Sequence, residues 1–173
     1  MSALPDTSQI RLLLFDVDGI LTDGGLYVGE GGELMKRFHI HDGAGIVMAQ
    51  RMGFLVGLLS GHSSMATQAR AAALGIQICH VGVKDKLTAF NEILASSDLQ
   101  AEECLFMGDD FQDLPVLSSA GVSVSVCDAR EEVRSRVDFV TERRGGQGAV
   151  REVIDIILRQ RGLMDQAMAE FLS

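Results

Sequence analysis

The chain has little that would staple it, anchor it in a bilayer or draw it to a polyanion. Its three cysteines, Cys79, Cys104 and Cys127, are odd in number and widely spaced in apolar runs, so neither a disulfide framework nor a zinc site is signalled and a reducing, cytoplasmic setting is expected. Fifteen Lys and Arg against 24 Asp and Glu leave a formal net charge of −9, which argues against nucleic acid or an anionic membrane as partner, since either needs a basic face. No apolar run approaches the ~18 residues of a membrane span. The first ten residues, with Pro5 and Asp6, lack the basic-then-apolar order of a signal peptide. Repeats and low-complexity linkers are also missing. What remains is 173 residues with 47% apolar and 23% charged content, enough for one domain, 1–173, with a full core.

Short apolar runs at 10–15, 54–59, 76–80, 104–107, 122–126 and 139–140 read as strands. They alternate with helix-period segments at 43–52, 64–74, 85–95, 114–119 and 149–159, several followed by glycine. That alternation predicts an α/β fold with a doubly wound, Rossmann-like parallel sheet. One insert interrupts it: residues 24–27, the turn Gly29-Glu30-Gly31-Gly32 and residues 34–41 read as a β-hairpin of about 24–41, a flap over the site or an assembly element. In the tail, about 162–173, Met164, Ala167, Met168 and Phe171 fall at helical spacing; a helix so short either docks on a neighbouring subunit or frays.

The first strand ends abruptly in Asp16-Val17-Asp18-Gly19. A strand buried on both faces has no structural use for acids at its carboxyl end, which is where open α/β sheets bind ligands. Ser60-Gly61, Lys86 and Gly108-Asp109-Asp110 with Asp113 fall at the ends of later strands and gather round the same crevice. Converging carboxylates raise one another's pKa and protonate unless a cation holds them, and a hard, oxygen-seeking dication such as Mg²⁺ suits this set. Each residue also has a plainer reading: Asp16 and Asp18 as turn formers, Asp113 as a helix cap, Lys86 as a solvated lysine. His39 and His41 at strand spacing offer a weak alternative metal pair, with no third ligand nearby.

Taken in order, Asp-x-Asp-Gly, Ser-Gly, Lys and Gly-Asp-Asp-x-x-Asp resemble the haloacid dehalogenase superfamily. The resemblance implies Asp16 as a nucleophile giving an aspartyl-phosphate and Asp18 as general acid and then base. It further implies Ser60 and Lys86 on the phosphoryl oxygens, and Mg²⁺ on Asp16, the Asp18 carbonyl and Asp109. Asp110 and Asp113 would orient metal waters and Lys86.

Residues 16–23, Gly24-Gly25-Leu26-Tyr27-Val28, Lys36-Arg37-Phe38, Asp42-Gly43 and the stretch from Gly145 to Glu152 narrow this to the 3-deoxy-D-manno-octulosonate 8-phosphate phosphatases, over nearly the whole chain. That likeness implies a phosphatase without a cap domain, in a homotetramer whose hairpins and neighbouring subunits cover the sites. It also implies a phosphorylated sugar acid as substrate, lipopolysaccharide precursor synthesis as setting, and contacts from His39, Ile40, His41, Asp42, Gly43, Gly61, His62, Arg70 and Lys86. Val47 and His62 stand where the family usually has arginines, and neither can make arginine's bidentate carboxylate clamp. Those departures keep open a nine-carbon, sialic-type ester. A non-catalytic tetramerisation module is the alternative outside enzymes, and an intact acid cluster argues against it. A response-regulator receiver orders its acids and lysine differently. Arg143, Arg144 or Arg151 would add positive charge near the Gly145-Gly146-Gln147-Gly148 loop, with Arg151 equally able to brace its own helix.

Overall fold

The computed structural model describes residues 3–170. In chain order the elements are β1 (Leu12–Phe15), the hairpin strands β2 (Tyr27–Gly29) and β3 (Gly32–Met35), α1 (Ile40–Arg51), β4 (Leu55–Leu59), α2 (Met65–Ala73), β5 (Ile78–His80), α3 (Lys86–Ser97), β6 (Cys104–Met107), α4 (Leu114–Leu117), β7 (Val122–Ser125), α5 (Glu131–Arg134), β8 (Phe139–Val140), α6 (Ala149–Gln160) and α7 (Met164–Ala169). Six strands form one parallel sheet in the order β5-β4-β1-β6-β7-β8, and β2 pairs with β3 alone. The chain builds outward from β1 to β5, crosses back, and builds out again from β6. The reversal between β1 and β6 is the switch point at which such sheets bind ligands.

The unbroken apolar run of β1 suits a strand covered on both faces, and all four of its residues are buried. Side chains alternate. Leu13 and Phe15 join Val56, Leu58, Leu105 and Met107 beneath α1 and α6. Leu12 and Leu14 join Phe106 beneath α3 and α4. Asp85 and Ser64 cap α3 and α2 by accepting the Thr88 and Thr67 N–H groups.

Two expectations about the insert change. Its second strand ends at Met35, with one further bridge between Thr22 and Phe38, and α1 begins at Ile40, three residues earlier than the periodicity indicates. His39 is the N-cap of α1 and His41 lies in its first turn, so the two do not share a strand face; their rings meet edge to face at 5.2 Å. The tail also differs. α7 packs on α1 and α6 of its own chain through Ala167, which is 1% exposed, with Leu163 and Met164 beside it. Phe171 lies outside the described residues. The single turn α5 carries no periodicity long enough to read. Cys79, Cys104 and Cys127 are free thiols. Among the described residues no helix is long and apolar enough to cross a membrane.

Candidate active site

Asp16 continues the β1 ladder by one bond, its N–H donating to the Met107 carbonyl at 2.9 Å, and its side chain is buried at the switch point. The chain then turns sharply, with the N–H groups of Ile20, Leu21 and Thr22 all directed at the Val17 carbonyl. Gly19 holds φ at +84°, and a Cβ there would lie 2.1 Å from Asp109 Oδ2. Both the left-handed backbone and the close approach of Asp109 demand glycine.

Asp113 organises the opposite wall. Its Oδ2 accepts the N–H groups of Asp109 and Asp110, both at 3.1 Å, and its Oδ1 is 2.6 Å from Lys86 Nζ. Lys86 opens α3 and reaches Asp16 Oδ1 at 3.0 Å, so one buried ammonium bridges two buried carboxylates. One oxygen from each of Asp16, Asp109 and Asp113 falls within a 4.8 Å cluster. Burial, then the charge of Asp113, pushes Asp16 up to about 8. Burial, then Asp113 and Asp110, pushes Asp109 up to about 7. Burial opposes the charge on Lys86, but Asp16 and Asp113 outweigh it and hold its pKa above the ordinary value. Carboxylates that retain protons to near neutrality are relieved by a hard dication, and the donor set is all oxygen, so it fits Mg²⁺. Both Asp113 oxygens are engaged, and Asp16 and Asp109 are the carboxylates of the group that could hold it.

Asp18 faces Lys36 rather than Lys86. The Lys36 ammonium is 2.8 Å from both Asp18 oxygens and donates to Oδ2, while His62 Nδ1 stands 3.7 Å from Oδ2. At the end of β4, the Ser60 N–H donates to the His80 carbonyl and the Ser60 carbonyl accepts from Val83, tying the ends of β4 and β5 together. Ser60 Oγ accepts the His62 N–H at 3.3 Å.

A family model described as haloacid dehalogenase-like hydrolase matches residues 64–154. The chain belongs to the haloacid dehalogenase-like hydrolases. It is 40% identical over 162 residues to the Escherichia coli (strain K12) 3-deoxy-D-manno-octulosonate 8-phosphate phosphatase KdsC, an alignment that covers 94% of this chain and 86% of that one. The crystal structure of the Yersinia pestis 3-deoxy-D-manno-octulosonate 8-phosphate phosphatase superposes with a TM-score of 0.89 at 39% identity, covering 92% of this chain and 86% of that one. The Moraxella catarrhalis 3-deoxy-D-manno-octulosonate 8-phosphate phosphatase, solved in complex with a magnesium ion, a phosphate ion and a KDO molecule, gives 0.91 at 36% identity, covering 95% of each chain.

Around this hydrolase centre, two expected residues also make structural contacts of their own. Asp110 lies outside the group of Asp16, Asp109 and Asp113 oxygens: it caps Phe111 at 2.8 Å and pairs with Arg130 Nε at 2.9 Å. Asp42, expected on the substrate, is buried, and its two oxygens accept the Gly148 and Arg151 N–H groups, so it closes the start of α6. Gly148 and Arg151 also line a cavity of about 280 Å³ with His41, Arg143 and Asp155; Arg151 pairs there with Asp155 at 2.7 Å, bracing its own helix. Gly146 donates to the Ile20 carbonyl, setting the glycine loop directly on the turn that follows Asp18. The Arg70 guanidinium lies against Gly43 and 5.8 Å over the Phe38 ring. Ile40 and His41 are exposed, His39 and His62 are half-buried, Gly61 approaches Gln112, and Val47 is half-buried within α1. Lys36 is the site residue that sequence reasoning missed. In the sequence it belongs to a hairpin leg and to the Lys36-Arg37-Phe38 stretch of the family resemblance, and nothing in its spacing marks it as the partner of Asp18.

Proposed function

We propose that this hydrolase removes phosphate from 3-deoxy-D-manno-octulosonate 8-phosphate with Mg²⁺, in lipopolysaccharide precursor synthesis in the cytoplasm. The observation that carries the reading is Lys86 buried between Asp16 and Asp113, beside Asp109, at the switch point. A surface turn or an assembly module has no need of a fully covered ammonium among carboxylates. The relatives described above are octulosonate phosphatases, which disfavours the nine-carbon ester.

In this reading an Asp16 oxygen attacks phosphorus as the bond to the sugar oxygen breaks, and Asp18 delivers its proton to that oxygen. Asp18 then takes a proton from the water that attacks phosphorus, and the Asp16 carboxylate is released. Lys86 and Ser60 hold phosphoryl oxygens. When bound to Asp16, Asp109 and the Asp18 carbonyl, Mg²⁺ neutralises charge between nucleophile and phosphate. The sugar acid meets Lys86, His39, Ile40, His41, Gly43, Gly61, His62 and Arg70. The chain acts as one domain in a homotetramer: Leu26, Tyr27, Val28 and Met35 leave 47%, 54%, 68% and 56% of their surface exposed on the hairpin, an apolar patch suited to a subunit interface that covers the site. Light scattering on the eluting protein reads that state directly.

The test is phosphate release with Mg²⁺ across the octulosonate ester, sialic-type 9-phosphates and hexose phosphates. A kcat/KM several hundredfold higher for the octulosonate ester supports the reading. A preference for a nine-carbon ester, or flat activity on all three, contradicts it.

A further inference from the structure

Asp16 and Asp113 are fixed by main-chain bonds and by Lys86, whereas the contacts described for the Asp18 carboxylate come from two side chains, Lys36 and His62. Of these only Lys36 is buried: its side chain is 0% exposed, against 40% for His62 and 29% for Asp18 itself. Lys36 follows directly on β3 and precedes the Thr22–Phe38 bridge by two residues, so antiparallel links hold its backbone on both sides. An ammonium fully removed from water is costly unless it is paired, and the Asp18 carboxylate is a pairing that meets this cost. The two Asp18 oxygens are thereby unequal: Oδ2 accepts from Lys36, while Oδ1 is buried with no aligned donor despite the same 2.8 Å separation.

We infer that Lys36 is a positioning residue for proton transfer: it fixes the Asp18 carboxylate, so that the base of the hairpin sets where the proton is delivered. This rests on the phosphatase reading above. As the Asp16–phosphorus bond forms and the phosphorus–sugar oxygen bond breaks, the proton passes from Asp18 to the sugar oxygen, and Lys36 keeps its own protons throughout. Positioned acids contribute large factors only within hydrogen-bond reach, so a displaced carboxylate costs rate without costing phosphate binding. The demand depends on the leaving group. A sugar alkoxide leaves only with a proton, whereas p-nitrophenolate leaves without one.

The experiment follows phosphoenzyme formation by rapid quench on the octulosonate ester and on p-nitrophenyl phosphate, with Lys36→Met in the full chain. The expected result is a loss of at least about tenfold on the sugar ester and a change within about threefold on the aryl ester. Mg²⁺ affinity should be retained, and Lys36→Met should add no further bias in an Asp18→Asn background. Equal slowing on both esters, or an undiminished rate on the sugar ester, overturns the inference. Should Lys36→Met fail to fold, Lys36→Arg keeps the charge but moves the donor and should give the same bias; a wild-type ratio of the two rates overturns it. Failure of the phosphatase reading shows elsewhere, as absent turnover in the unsubstituted chain or surviving turnover in Asp16→Asn.

Discussion

Asp113 Oδ1 lies 2.6 Å from the Lys86 ammonium, while the other oxygen of the same carboxylate accepts two consecutive N–H groups of the Gly108-Asp109-Asp110 turn. One side chain therefore sets both the lysine that faces Asp16 and the loop that presents Asp109. Asp113→Asn keeps the shape but cannot accept from lysine and main chain with full charge. It should lower thermal stability by about 1–3 kcal/mol and kcat by at least about tenfold, measured by denaturation and steady-state kinetics.

Proton binding should report the metal. Burial and neighbouring carboxylates push Asp16 up to about 8 and Asp109 up to about 7, from the ordinary value of 3.8, so the folded chain without metal binds more protons than the unfolded chain between those limits. Stability then falls as pH rises through that window. The melting temperature of the metal-free protein should drop as pH rises from about 4 to about 8 and level off above that, and saturating Mg²⁺ should flatten the slope. Calorimetry at pH 7 in buffers of different ionisation enthalpy should detect protons released on Mg²⁺ binding.

Gly19→Ala tests the close approach of the two acidic turns. The added Cβ collides with Asp109 Oδ2 and strains a backbone at φ +84°. Mg²⁺ affinity should fall by at least about tenfold, more than for Ser60→Ala, since the Ser60 hydroxyl holds no metal in this account.

Asp42→Ala separates support of a helix from contact with substrate. Losing both acceptors at the start of α6 should destabilise the fold by about 1–2 kcal/mol, while KM for the octulosonate ester changes little. A large rise in KM without loss of stability would return Asp42 to the substrate.

The legible parts of this molecule are those in which one short segment states its own physics. The β1 run ending in acids, the alternation of strand and helix, and the Ser60, Lys86 and Asp109 positions after later strands all follow from patterns a few residues long. What was not legible depends on partners distant in sequence. The structural role of Asp42 is not legible because the N–H groups it accepts, those of Gly148 and Arg151, come more than a hundred residues later. Lys36 looked like a hairpin lysine because the fold alone brings it back to Asp18. The start of α1 at Ile40 is not legible because His39 makes no side-chain cap, and the run from Phe38 to His41 alternates as a strand would.

In the proposed mechanism Asp16 carries the phosphoryl group. Quenching the enzyme during turnover of the octulosonate ester with Mg²⁺, reducing with borohydride and sequencing the peptide that spans residues 12–18 tests it directly. An acyl phosphate on Asp16 is reduced to homoserine at that position, and this is the predicted result. Unmodified Asp16 during steady turnover, or homoserine at position 18 in its place, would contradict the account.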